Sequence, residues 1–92
     1  MHETGIVKNL VRHLENAARD AGASSITQVR VSLGALSQFS PAHFREHFVE
    51  EAEGTLAQDA QLEIEQSSDP ADPDALHVVI RSIDLEIPDD GG

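Results

Sequence analysis

The stretch SITQVRVSLGAL, residues 25–36, decides the fold of this chain because apolar and polar side chains alternate along it. Val29, Val31 and Leu33 fall on one side of an extended backbone, and the polar residues between them fall on the other side. A period of two residues is typical of a β-strand with one buried face. We therefore predict a half-buried strand here, which Gly34 ends or bends.

Helices are predicted on both sides of this strand. Apolar residues recur at intervals of three and four over residues 3–21, which places them on one side of a helix. Gly22 supplies the left-handed conformation that commonly ends such a helix. A second helix is expected to begin with Ser40 as N-cap and Pro41 in the first helical position, and to end near Gly54. Its expected inner face consists of Phe44, Phe48, Ala52 and Leu56.

Two further strands complete the prediction. Residues 60–65 alternate between apolar and polar side chains, and residues 76–87 form a third strand whose apolar residues change sides near Arg81 and Ser82. A β-bulge at that point, or burial of both faces, accounts for the change. The order helix, strand, helix, strand, strand predicts an α/β (α+β) domain with a three-stranded sheet covered on one face by two helices.

The whole chain, residues 1–92, is expected to form a single domain. Hydrophobic residues make up 39% of it, which allows one modest core. Residues 66–75 (QSSDPADPDA) have the composition of a loop, because their two prolines cannot extend either neighbouring strand. Residues 88–92 are expected to be a flexible tail. The absence of cysteine excludes disulfides, thiolate zinc sites and cysteine nucleophiles.

The charge balance restricts the partners. Seventeen acidic residues against six lysines and arginines give a formal net charge of −11. Such a surface repels nucleic acids and anionic membranes and favours cations and basic proteins. No apolar run is long enough to span a bilayer and no signal peptide is visible, so the expected location is the cytoplasm.

A metal site is suggested by Met1, His2 and Glu3 at the start of the chain. The terminal amine, the amide nitrogen of His2 and its imidazole would close adjoining chelate rings on one ion, and a nitrogen or oxygen of Glu3 would complete a plane of four ligands. Deprotonated amides in a square plane suit Ni(II) and Cu(II), whereas Zn(II) prefers a tetrahedron. The site requires Met1 to be retained, which a side chain as bulky as His at position 2 favours.

Other interpretations of the histidines stay open. Any histidine near a start codon gives the same sequence pattern without binding a metal, and an expression tag also leaves Met-His. His43 and His47 are spaced by four residues within the second helix, within chelating reach, although such pairs are more often solvated boundary residues. His13 and His77 are expected to be structural. No phosphate loop or nucleophile elbow is present, so an enzyme using His43 or His47 as acid or base is the remote alternative.

Six motifs in consistent order and spacing make the chain resemble the HypA/HybF family of nickel-insertion accessory proteins. They are MHE (1–3), IV (6–7), VRVSLGALS (29–37), EGT (53–55), AQLEI (60–64) and IRSIDL (80–85). The resemblance implies a nickel-binding domain that delivers Ni(II) during maturation of [NiFe]-hydrogenase, or in some organisms urease, with a GTPase or the enzyme precursor as partner. It implies that His2 is the essential nickel ligand, assisted by the Met1 amine and Glu3. A carrier of this kind is a metallochaperone and not an enzyme; a monomer or homodimer is expected.

Two features depart from the family pattern. Members carry a zinc domain with two CxxC pairs between the last two strands, where this chain has only the loop 66–75 and therefore no expected zinc site. The turn after the first strand has Ala35 where the family often has an acidic residue, which predicts weaker nickel binding or a different fourth ligand. The competing hypothesis is an adaptor or regulatory module that keeps the fold without transferring metal.

Overall fold

The chain forms the five predicted elements in the predicted order. A computed structural model describes residues 3–37 and 39–88, the first two of these by their backbone alone. The elements are α1 (Glu3–Asp20), β1 (Ser25–Leu33), α2 (Pro41–Ala52), β2 (Gln61–Gln66) and β3 (Val78–Glu86). No helix within the described ranges is long and apolar enough to cross a membrane.

The sheet has β1 at its centre. The strand order is β2-β1-β3, with β1 parallel to β2 and antiparallel to β3. Val29 is paired with Leu62 of β2 on one side and with Ile83 of β3 on the other, so the apolar residues of all three strands share a face. The predicted α/β architecture with a three-stranded sheet is therefore confirmed.

A β-bulge lies where the change of side was predicted. Arg30 pairs with Ser82 while the next residue, Val31, pairs with Ile80, so Arg81 is the extra residue on β3. The bulge changes the phase of the strand, which returns the residues after it to the core face. The change of side in the third strand was explained either by a β-bulge or by burial of both faces. The pairing register supports the β-bulge.

Both helices cover the same face of the sheet. Val29, Val31 and Leu33 are each at most 1% exposed beneath them. On the opposite face, the Arg30 guanidinium binds Glu63 (Nε to Oε1, 3.1 Å) and Ser82 (Nη1 to Oγ, 3.2 Å). This exposed polar network needs no covering layer, and exposed ion pairs of this kind contribute about 1 kcal/mol or less to stability.

The helix ends follow the predicted local chemistry. Gly22 has a positive φ of 78° just after α1, the conformation that ends the helix. At the start of α2, the Ser40 hydroxyl accepts a hydrogen bond from the His43 amide at 3.2 Å, with Pro41 in the first turn. Phe44 is fully buried, and Phe39 packs on it edge to face with ring centroids 5.5 Å apart.

The first strand ends at Leu33, directly before Gly34, the residue that was predicted to end or bend it. The physical reason is the segment that leads into β3, which hydrogen-bonds the chain beyond Leu33. Gly34 N donates to the carbonyl oxygen of His77 at 2.9 Å, and Leu36 N donates to that of Ala75 at 2.7 Å. A Cβ atom at position 34 would overlap the Ala75 carbonyl group, so glycine is required there by close approach.

The connection between β2 and β3 is more ordered than its composition suggests. Gln66 belongs to β2 and not to the loop. The carboxylates of Asp69 and Asp72 accept hydrogen bonds from backbone amides two residues ahead, at 2.9 and 2.8 Å. Ala75 is only 4% exposed. The loop therefore consists of successive side-chain-stabilised turns, and its last part packs against the end of β1.

Replacing Gly34 by Ala should destabilise the protein by about 2 kcal/mol or more, because the added methyl group meets backbone that cannot move aside easily. Gly5→Ala is the matched control, since nothing lies within 4 Å of a Cβ built there. This second change should stabilise α1 by about 1 kcal/mol. Urea unfolding measures both, and equal effects of the two substitutions would contradict the close approach at Gly34.

Candidate metal centre

The predicted metal ligands lie at the start of α1. Met1 and His2 lie outside the described residues, and Glu3 is the first residue of α1, described by its backbone alone. The described residues show which parts of the protein surround the first turn of α1.

The start of α1 has two electrostatic properties that bear on a metal ion. The first N–H groups of a helix have no intrahelical acceptor, so the amide nitrogens there are not committed to helix hydrogen bonds. The helix dipole places partial positive charge at the same end, which opposes a bound cation. A ligand set that includes deprotonated amides brings its own negative charge and offsets this repulsion. Neutral ligands alone would not.

The two helices begin at the same end of the sheet. Because β1 and β2 are parallel, the α2 crossover between them runs opposite to both. The last residue of α1 joins β1 through residues 21–24, and the start of α1 lines a groove with Ser37 and Phe39, just beyond the end of β1. Both helices therefore run against β1 and parallel to each other.

This groove separates the start of α1 from the start of β3. Its lining is largely apolar, and the side chains of Ile6 and Leu76 that border it are 50% and 68% exposed. His13 and His77 also line it, and both are exposed. Neither histidine is buried in the core, so the predicted structural role of these two residues has no support in packing.

On α2, His43 is exposed and His47 is half-buried. Their ring centroids are 6.2 Å apart with the ring planes inclined at 54°. The spacing of four residues has thus brought the two imidazoles to one side of the helix, as predicted.

Within residues 3–37 and 39–88, no group of three or more histidine, aspartate or glutamate side chains is arranged to hold a metal ion. The carboxylates in this part of the chain lie mostly on exposed positions. At the opposite end of the sheet, an open polar cleft contains Asp59, Asp84 and Glu86.

Comparison with known proteins identifies relatives of the chain. Residues 1–71 match the family model described as hydrogenase/urease nickel incorporation, metallochaperone, hypA. The hydrogenase maturation factor HypA of Moorella thermoacetica is 42% identical over 66 residues, or 72% of this chain and 58% of that protein. HypA of Rhodopseudomonas palustris is 33% identical over 94 aligned positions, which cover 100% of this chain and 83% of the relative. The chain spans a little over half the length of the first of these relatives.

Solved structures agree with the fold. The solution structure of the Ni metallochaperone HypA from Helicobacter pylori superposes with a TM-score of 0.79 over 96% of this chain and 100% of that chain, at 20% identity. A second solution structure of a HypA protein gives a TM-score of 0.63 at 25% identity, covering 92% of each chain. The arrangement of two helices on a three-stranded mixed sheet is common to this protein and to them.

Removal of metal should leave the fold intact, because the core closes through apolar side chains and no cysteine is present to hold structural zinc. We expect the melting temperature after dialysis against EDTA to stay within about 2 °C of its value before dialysis. Circular dichroism measures this, and elemental analysis supplies the control. Stoichiometric zinc that survives dialysis, or unfolding on its removal, would contradict the expectation.

Proposed function

Because this chain belongs to the HypA family of hydrogenase/urease nickel-incorporation metallochaperones, we propose that it binds Ni(II) through Met1, His2 and Glu3 and delivers it to a nickel enzyme during maturation. The observation that carries the proposal is the family match, which begins at residue 1 and so includes all three residues. The family consists of metallochaperones, so the chain is not an enzyme, as the sequence predicted.

The proposed site uses backbone and side-chain nitrogen together. The Met1 amine, the His2 amide and the His2 imidazole form adjoining chelate rings, and Glu3 supplies the fourth donor. Proton loss from the amide gives the site negative charge, which suits Ni(II) in a square plane and offsets the positive end of α1. Because α1 begins at Glu3, the proposed ligands adjoin the first turn of a helix.

A carrier must release its ion as well as bind it. A site made from the terminal amine and the residues next to it does not use the hydrophobic core, so transfer of the ion to an acceptor protein does not require the carrier to unfold. The formal net charge of −11 favours nickel capture and a basic docking partner. We propose a nickel-pathway GTPase, the precursor of a hydrogenase or urease, or both, as the partners, and the cytoplasm as the place of action.

Delivery without a zinc domain is part of this proposal. The sequence contains no cysteine, and the strands β2 and β3 are joined by ordered turns over residues 67–77. If residues 1–92 work as one nickel-binding domain, docking that depends on a zinc domain in other family members must use another surface here. The alternative function, an adaptor that keeps the fold without carrying metal, predicts no role for His2.

Replacing His2 by Gln should remove tight nickel binding, since the imidazole is lost while the bulky side chain still favours retention of Met1. His13→Gln is the matched control, because His13 is an exposed histidine of α1 outside the proposed ligand set. Nickel titration followed by calorimetry and absorbance measures both. Wild type and the control should show the yellow band of square-planar Ni(II). An unchanged band in His2→Gln would show that His2 is not a ligand, whereas the absence of tight nickel binding in the wild type would support the adaptor.

Adding one Gly ahead of Met1 tests the terminal amine. The extension makes His the third residue, so that an amine, two amides and the imidazole can chelate on their own. The absorbance spectrum of bound nickel should therefore change and binding should persist. If the extended chain gives the same spectrum as wild type, the Met1 amine is not a ligand.

Nickel binding should weaken as the pH falls below neutrality. An imidazole with an ordinary pKa of about 6.5 binds metal only when neutral, and amide ligation releases further protons. Protons therefore compete with nickel, so the affinity for nickel falls as the pH falls. More than one proton is released for each ion bound. Titrations in several buffers of differing ionisation enthalpy count these protons. Release of no protons at pH 7.5 would contradict amide ligation.

A further inference from the structure

We propose that the outer edge of β3 and the apolar groove between α1 and β3 bind an extended segment of a partner protein, in which apolar and basic residues alternate. In this mode of binding, a peptide adds a strand to an open sheet edge and places every second side chain in pockets on one face. The inference goes beyond nickel carriage because it concerns a different surface. It can hold whether or not the chain binds metal.

The outer edge of β3 offers backbone groups to a further strand. Within the described part of the chain, β3 pairs only with β1, so its other edge has no strand partner there. Gly34 N donates to the carbonyl oxygen of His77, which makes these two residues a hydrogen-bonded pair. Hydrogen-bonded and non-hydrogen-bonded pairs alternate in an antiparallel ladder. The N–H and C=O groups of Val78 and Ile80 therefore point away from β1.

The side chains of the same two residues lie on the helix-covered face of the sheet. Val78 is opposite Leu33 and Ile80 is opposite Val31, and both of these partners belong to the core. Val78 is half-buried and Ile80 is 37% exposed, so α1 leaves this part of β3 partly uncovered. A strand added at the outer edge would continue the same face, with every second side chain directed towards α1.

The groove between α1 and β3 has room for these side chains. From α1 it is lined by Ile6, Leu10 and His13, which recur at intervals of four and three and so follow one side of the helix. Its volume is about 440 Å³, and no Lys, Arg, Asp or Glu is among its described lining residues. Ile6 and Leu76 are both exposed. Apolar side chains of a bound segment would remove this surface from water.

A hydroxyl group in the groove lining has no partner. The Oγ atom of Ser37 is buried and makes no hydrogen bond within the described part of the chain. A buried polar atom without a hydrogen bond carries a free-energy cost, which a polar group of a ligand removes when it binds. Peptide backbone supplies such groups along its whole length. The lining therefore suits a peptide better than a purely apolar ligand.

Charge selects a basic segment. Asp74 precedes the part of β3 that lines the groove, and Asp84 follows it, so carboxylates lie on both sides along the chain. Arg81, the bulge residue between them, lines a cleft with Arg30 and Glu63, whose side chains meet on the opposite face of the sheet. The formal net charge of −11 makes two copies of the chain repel each other. A basic partner is therefore favoured over self-association.

The first test uses the synthetic peptide acetyl-KVKIKVK-amide and the full chain without added metal. Calorimetry measures binding, and NMR measures amide hydrogen exchange. At saturating peptide, exchange at Val78 and Ile80 should slow by about tenfold or more, because their N–H groups become hydrogen-bonded. Val79 is the internal control, since its N–H already faces β1. Replacing the lysines of the peptide by glutamate should weaken binding by about tenfold or more.

Two N-methylated peptides test strand addition directly. One carries methyl groups on the amides of its lysines, and the other carries them on the amides of its apolar residues. Successive N–H groups of an extended chain point to opposite edges, so only one of the two sets faces β3, whichever direction the peptide takes. One version should lose about tenfold or more in affinity while the other binds as the parent does. Equal effects of the two methylation patterns would overturn strand addition.

Variants of the protein test the groove. Ile6→Ser combined with Leu76→Ser should weaken peptide binding by about tenfold, whereas Val49→Ser, an exposed apolar residue of α2 outside the groove, should change it by less than about twofold. Circular dichroism checks that each variant is folded. Equal affinities in wild type and both variants would overturn the proposal. So would a wild-type dimer that the groove variant dissociates, together with no peptide binding, because the occupant would then be a second copy of the chain.

Discussion

The central strand β1 is hydrogen-bonded along both edges and buried on one face, and the other elements take their positions from it. Its parallel pairing with β2 requires a crossover helix, since parallel neighbours cannot be joined by a tight turn. The crossover must lie over the apolar face that Val29, Val31 and Leu33 present, where α1 already packs. Two helices in one layer over a narrow sheet then lie side by side.

The parallel pairing of β1 and β2 determines which segments lie at the same end of the sheet. Both helices run against β1, so both begin at the end of the sheet where β1 finishes. The first turn of α1, the first turns of α2 and the segment leading into β3 therefore lie at the same end of the sheet. The open polar cleft that contains Asp59, Asp84 and Glu86 lies at the opposite end of the sheet.

Local chemistry predicted most of the fold. The alternation in β1, the Ser40 cap and the bulge at Arg81 depend on neighbours in sequence, and all three are confirmed. The close approach of Ala75 to Gly34 and the packing of residues 67–77 depend on contacts between distant segments, which a sequence pattern does not contain. The ligand set at Met1 and His2 stays a prediction, because it rests on a resemblance and lies outside the described residues.

The connection between β2 and β3 also has a consequence for chain architecture. Its first residue, Ser67, donates from its amide to the Leu33 carbonyl at 2.9 Å, and its last residues hydrogen-bond Gly34 and Leu36. Both ends of the connection are thus hydrogen-bonded to one short segment, residues 33–36. Chain length between two such attachment points can vary at small entropic cost. The connection is accordingly a permissive insertion point, where evolution or an engineer can graft a whole module or delete one while the sheet keeps its register.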